Sequence, residues 1–191
     1  NNKLTINSIT RTNKQNVDNI NFETNNSKSY IFNNGLLLRN LNLLNIGLYA
    51  KNATSNNKSL IKAFPQTGLS LEYPLIENRK KSTLLLEPKA QLFLSPDDYK
   101  NYKIRNEDCL DVDLSSSNLY STNRYSGYDR VESGIRANYG ILLENINSNR
   151  NNFSAFIGQA FNNNKQQLFN KFSGFGNKTS EMVGNILFKS N

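Results

Sequence analysis

STLLLEPKAQLFL, residues 82–94, alternates along its whole length. Leu84, Leu86, Pro88, Ala90, Leu92 and Leu94 share one parity, and Leu85, Glu87, Lys89, Gln91 and Phe93 share the other. Successive Cβ atoms of a strand point to opposite faces, so a sustained period of two predicts a long half-buried strand and not a helix. YDRVESGIRANYGILL, residues 128–143, reads the same way: Val131, Ser133, Ile135, Ala137, Tyr139, Ile141 and Leu143 oppose Arg130, Glu132, Gly134, Arg136, Asn138 and Gly140. Soluble strands average about 5–6 residues, so two stretches of this length are unusual.

Shorter runs extend the theme. Thr67, Leu69, Leu71, Tyr73 and Leu75 alternate with Gly68, Ser70 and Glu72, and Leu44, Ile46, Leu48 and Ala50 alternate with Asn45, Gly47 and Tyr49. Phe153 to Phe161 and Met182 to Phe188 close the series, and Leu4 to Ile9, Val17 to Phe22 and Tyr30 to Leu38 are further strand candidates. Polar tracts at Asn52 to Lys58, Asn78 to Lys81, Asn145 to Asn152 and Asn162 to Gln167 read as turns or loops. The longest connection runs from Ser95 to about Ser126, well beyond ordinary loop length, and loops of that size tend to be functional or disordered. No repeat of fixed period and no domain boundary interrupts the series.

The pattern is an all-β antiparallel meander. A soluble sandwich or barrel makes it, and so does the wall of an outer-membrane β-barrel, whose spanning strands need only about 9–11 residues with every second one polar. In the membrane case the apolar parity faces lipid, and Glu87, Lys89, Arg130, Glu132 and Arg136 face a hydrated lumen. In the soluble case the polar parity is the solvent side.

Composition narrows the chemistry. The 191 residues contain no His and a single Cys, Cys109, which excludes His-based triads, His zinc sites, disulfide frameworks and paired-cysteine motifs within this sequence. The 35 asparagines reflect coding bias before function. The longest apolar runs, such as Leu36 to Leu38 and Ile141 to Leu143, fall far short of the roughly 18 residues a membrane helix needs. The formal charge of +8 suggests an anionic partner, but only Arg79-Lys80-Lys81 is clustered, and the signatures of nucleic-acid-binding modules are missing. Glu107, Asp108, Asp111 and Asp113 lack the order and the glycine of an EF-hand and read as a solvated acidic loop. Cys109 has no activating base beside it. Tyr30, Tyr49, Tyr73 and Tyr139 fit either aromatic girdles or core packing.

Three ordered segments carry a family likeness: FPQTGLSLEYPL, LLLEPKAQLFLSP and NEDCLDVDLSSSNLYSTNRYSGYDRVESGIRANYG. Together they resemble the LptD (OstA/Imp) family of outer-membrane lipopolysaccharide-assembly proteins. The residues concerned are Tyr73-Pro74, Glu87-Pro88, Glu107-Asp108-Cys109, Asn118-Leu119-Tyr120 and the octapeptide Asn123 to Arg130; Ile157 to Phe161 and Ser180 to Gly184 resemble downstream elements. The likeness is clearest over residues 64–188 and faint over 1–60, and Cys109 stands where the family usually has Ser.

The resemblance implies that residues 1–191 are a segment of a large transmembrane outer-membrane β-barrel, without the family's N-terminal jellyroll and gate strands. It implies a non-enzymatic part in lipopolysaccharide transport, with lipopolysaccharide, outer-membrane lipid and an LptE-like lipoprotein as partners, and no cofactor, metal or nucleic acid. A soluble binding module for an anionic polymer and a passive porin-type channel are the alternatives. Within the signature, Asn123, Arg124, Asp129 and Arg130 are expected to form a hydrogen-bonded ion-pair cluster, with Gly127 permitting a turn and Tyr125 and Tyr128 packing over it. That loop would either fold inward along the lipopolysaccharide path or simply anchor the wall. Arg124, Arg130 and Arg136 would meet lipid phosphates or, more simply, neighbouring carboxylates such as Glu132.

Overall fold

A computed structural model describes residues 1–10, 12, 16–52, 58–97, 104, 106–110, 112–147, 151–164 and 172–190. Nine antiparallel strands form one sheet: β1 (Asn2–Ile9), β2 (Asn16–Ile31), β3 (Leu37–Asn52), β4 (Lys58–Glu72), β5 (Leu75–Asn78), β6 (Ser82–Leu94), β7 (Ile135–Asn147), β8 (Asn152–Asn162) and β9 (Val183–Lys189). The order is sequential, with β5 pairing β6 beside the end of β4, and β1 and β9 are the two edges of a sheet that does not close. No described helix is long and apolar enough to cross a membrane.

The faces of this sheet are inverted relative to a soluble protein. On β4, Lys62, Phe64, Gln66, Gly68 and Ser70 are buried, while Ile61, Ala63, Thr67, Leu69 and Leu71 are exposed. Asn19 and Asn21 on β2, Asn45 on β3, Gln91 on β6, Arg136 and Asn138 on β7 and Asn162 on β8 are all buried. Their outward neighbours Ile20, Phe22, Leu48, Leu92, Leu94, Ile135, Tyr139, Ile141, Ile157 and Phe161 are exposed. Burying amides and charges while exposing Leu, Ile and Phe is unfavourable in water and is what a wall between lipid and a polar lumen requires.

The apolar band also runs obliquely to the strands. On β3 and β4 it centres on Ile46, which pairs with Ala63. Leu71, farther along β4, lies in the row that continues through Ala90 and Tyr139, and the band on β7 and β8 centres one step beyond, on Ile141 opposite Ile157. Crossing the band obliquely is the behaviour of membrane-barrel strands, which tilt roughly 35–45°. Pro88 fits because the ladder on one side is interrupted there: β4 ends with Glu72 opposite Lys89, β5 begins with Leu75 opposite Leu86, and the Pro88 carbonyl accepts from the Tyr73 N–H at 3.1 Å.

The two ends of the sheet differ. Turns at 32–36 and 79–81 lie at one end, where β7 also ends and β8 begins, whereas the long connections 95–134 and 163–182 both leave the other. Two expectations are corrected. Tyr30 to Leu38 is not one strand but a hairpin turn, in which the Gly35 N–H bonds the Phe32 carbonyl at 2.9 Å. The strand expected from Tyr128 begins only at Ile135, so the connection after β6 runs from Ser95 to Gly134. Alternation continued through 128–134 because the buried Val131 and Glu132 and the half-buried Ser133 face different neighbours inside, not opposite faces of a sheet.

Candidate functional site

The connection from Ser95 to Gly134 leaves the wall and returns at one point. Ser95 N–H bonds the Gly134 carbonyl at 3.1 Å, and Ser95 Oγ donates to the carbonyls of Gly134 and Glu132 at 3.0 and 3.3 Å. Between these ends the described residues pack on the polar inner face. Leu119, fully buried, and Tyr120 lie over two wall glycines: a Cβ on Gly158 would sit 2.5 Å from Leu119 Cδ2, and one on Gly140 2.7 Å from Tyr120 Oη. Glycine at both positions creates the recess that the Asn118-Leu119-Tyr120 element fills. Tyr120 meets Phe156 edge-on at 6.1 Å and donates through its hydroxyl to the Lys89 carbonyl at 3.3 Å. Lys89 Nζ lies 4.8 Å from the Tyr120 ring centroid and 2.8 Å from Glu72 Oε1.

The octapeptide from Asn123 to Arg130 divides into two networks. In the first, Arg124 holds Glu132 through Nε at 2.8 and 2.9 Å and through Nη2 at 2.7 Å. Glu132 also pairs with Arg136 of β7. Arg136 Nη2 donates to the carbonyls of Ser121 and Thr122 at 2.9 and 2.8 Å, which ties the segment to the wall. Arg124 stacks on Phe175 at 4.2 Å and Arg136 on Phe93 at 4.5 Å, so each guanidinium has one face on a ring and its edge on oxygen. All three charged side chains are buried.

In the second network the turn is closed by carboxylates. Asp108 accepts from the Tyr128 and Asp129 N–H groups at 2.8 and 3.1 Å, and Asp129 accepts from the Glu107 N–H at 2.7 Å. Lys62 of β4 donates to the carbonyls of Asp129 and Tyr128 at 3.2 and 3.5 Å. Arg130 Nη1 donates to the Ile104 carbonyl at 2.7 Å. Asn123 Nδ2 reaches the carbonyls of Gly127 and Arg130, both at 3.4 Å. Burial pushes the Asp129 carboxyl up to about 6, with Asp108 adding to the rise and the Glu107 N–H opposing it. Burial likewise pushes the Cys109 thiol up to about 12, which leaves it protonated and unreactive as a nucleophile.

The second long connection joins the first. Leu114 N–H bonds the Ser173 carbonyl at 2.8 Å, and Phe175 packs with Cys109, Tyr125 and Leu114 in a small apolar cluster. The two connections thus form one inward-packed body, a plug, against the half of the sheet from which they leave.

Arg124 and Asp129, expected in a single ion-pair cluster, belong to separate networks, because Glu132 takes the guanidinium through both Nε and Nη2. Tyr125 packs as expected beside the turn, and Tyr128 lies under Lys3, whose Nζ is 5.2 Å from its ring. Glu132 and Arg130 precede β7 and sit in the plug; Glu87, Lys89 and Arg136 are on strands with inward parity. Tyr49 is no girdle residue: it points inward, is buried and donates to Asn21 Oδ1 at 3.1 Å. Tyr30 and Tyr139 are exposed on the outer face. Asp108 and the Glu107 N–H serve the turn network, the Asp113 carbonyl accepts from Asn118 Nδ2 at 2.7 Å, and these residues do not gather as metal ligands among the described residues; Asp111 lies outside them. Lys62 and Phe175 were missed by sequence reasoning. The even parity of Lys62 with Phe64 and Gln66 was the available signal for the first, and Phe175 had none.

The sequence profile of LptD, LPS transport system D, matches residues 3–191. The chain belongs to the LptD family. No curated protein matches it. The match covers the plug and every strand but the first residue of β1, so the first sixty residues, whose likeness was faint, are as much a part of the LptD-family region as the octapeptide. In this LptD-family chain the octapeptide is neither a strand nor a surface loop but the joint between plug and wall.

Proposed function

We propose that this LptD-family chain forms outer-membrane β-barrel wall through which lipopolysaccharide is delivered to the cell surface, with an LptE-like lipoprotein as a partner and no covalent chemistry. The inverted sheet is the observation that carries the reading. An outward apolar band suits the acyl-chain environment, and an inward lining of Asn, Gln, Lys and Arg suits a sugar and phosphate head. The plug occupies the lumen side and limits the free polar path, so passage needs the plug to shift, which a simple open pore would not require. The Arg124–Glu132–Arg136 joint is the contact that must yield first, since it fixes the plug to β7.

A soluble binding module is disfavoured by the same inversion, which would leave exposed Leu, Ile or Phe side chains on all nine strands in water. Depletion of the gene in its own cell tests the reading, with newly made lipopolysaccharide followed by accessibility to a surface-acting modifying enzyme. The expected result is retention of lipopolysaccharide inside the cell envelope. Normal surface arrival, or recovery of the folded chain in buffer without detergent, would overturn it.

A further inference from the structure

The β5–β6 hairpin carries the one basic cluster in the sequence, Arg79-Lys80-Lys81, at the end of the sheet with the short turns. All four residues of β5 are exposed, so the hairpin projects from the wall. Glu77 is the only acid at an outward position in this half among the described residues, and Arg79 holds it in a two-point pair at 3.0 and 2.8 Å. Lys80 and Lys81 are exposed with no carboxylate partner among the described residues. Lys28, over the Tyr30 ring at 5.0 Å, faces outward at the same end.

Depth decides what these lysines meet. The apolar band ends here at Leu84, whose row runs through Asn145 to Phe153 and Phe188. Lys81 follows three residues beyond Leu84, roughly 10 Å along the strand. The headgroup layer begins where the roughly 30 Å hydrocarbon core ends and is several ångströms deep, so the ammonium groups lie at the level of lipid phosphates. In membrane barrels short turns face the periplasm.

We infer that the Arg79–Lys81 hairpin is a docking site for anionic glycerophospholipid headgroups of the periplasmic leaflet, holding this rim of the wall at a fixed depth. The inference rests on the membrane-wall reading above. The chain contains no Trp, so Ser82→Trp, outward and adjacent to Lys81, provides a single reporter. The full chain carrying it is placed in phosphatidylcholine nanodiscs with brominated phosphatidylglycerol or, separately, brominated phosphatidylcholine at equal mole fraction. The expected result is quenching roughly fivefold more effective with the anionic lipid, the selectivity of about one basic residue at a membrane surface. That preference should disappear when Lys80→Gln and Lys81→Gln are added. Equal quenching by both lipids, or a preference undiminished in the double variant, would overturn the inference and leave the membrane reading intact. No quenching by either lipid would remove both.

Discussion

Wall and plug are held together by opposite means. The wall rests on long ladders and on a repeating outward pattern in which no one residue decides the outcome: β2 and β3 alone pair along sixteen residues each. Among the described residues the plug has a small apolar cluster, Cys109, Tyr125, Phe175 and Leu114, and depends on individual charges, Glu132 above all. A structure specified by periodicity tolerates substitution of one element, whereas a structure specified by a few buried pairs does not. The plug is therefore the part more sensitive to a single substitution.

The largest effect is expected at Glu132. Glu132→Ala leaves Arg124 and Arg136 buried side by side without their shared carboxylate, and stranding buried charge in this way costs about 3–5 kcal/mol. Limited proteolysis should then cut within the 95–134 connection while the strands stay protected. Equal protection of plug and wall in the variant would erase the distinction between them. Next comes the outer face. Ile141, exposed between Pro88 and Ile157 in the middle of the band, should lose about 2–4 kcal/mol of membrane stability as Ile141→Arg. Denaturant titration in lipid reads this, and a neutral result would mean that the band does not face lipid.

Legibility in the sequence follows the same division. Residues 82–94 and 135–143 announced strands because an apolar outer face and a polar inner face impose a strict period of two. Parity separated Glu87, Lys89 and Arg136 from the apolar face but left open whether theirs was the inner side. The start of β7 was misread because 128–134 keeps that alternation without being a strand: the adjacent Val131 and Glu132 are both buried. The site was legible as a list, since the signature residues do lie together, but not as a wiring diagram. Which carboxylate Arg124 takes depends on where the backbone brings Glu132 and Asp129, and no spacing rule encodes that. Phe175 arrives from a connection of its own, far along the chain, and only the fold brings its ring to Arg124.

A smaller effect should separate the plug's hinge from its lock. Gly134 has φ of +88°, where an L side chain is strained, and a Cβ there would collide with Asn163 Oδ1. Gly134→Ala should lose about 1–2 kcal/mol, from the left-handed backbone penalty alone. The loss should appear as faster amide exchange at Ser95 and Ile135, whose N–H groups bond Gly134 O and Asn163 Oδ1, with the exchange of β3 unchanged. Exchange accelerated equally in β3 would mean that plug and wall open as one unit.

The smallest expected effect is a pH dependence confined to the plug. Asp129 is fully buried beside Asp108, with Lys62 bonded to its backbone carbonyl. Its carboxyl is raised to about 6 in the folded plug, mainly by burial, against about 3.9 in an open chain. The closed plug therefore holds more protons than the open one between those values, and its stability falls as pH rises through them. The contribution is fully present below about pH 4 and gone above about pH 6 to 7. Corrected for intrinsic rates, exchange of the Glu107 and Tyr128 amides should accelerate across that window and level off above it. Asp129→Asn, which stays neutral, should flatten the profile in the plug without altering that of the strands. A wall that followed the same profile would show that the carboxylate governs the whole molecule, and a plug indifferent to pH in this range would show that Asp129 is hydrated and ionised in the closed state.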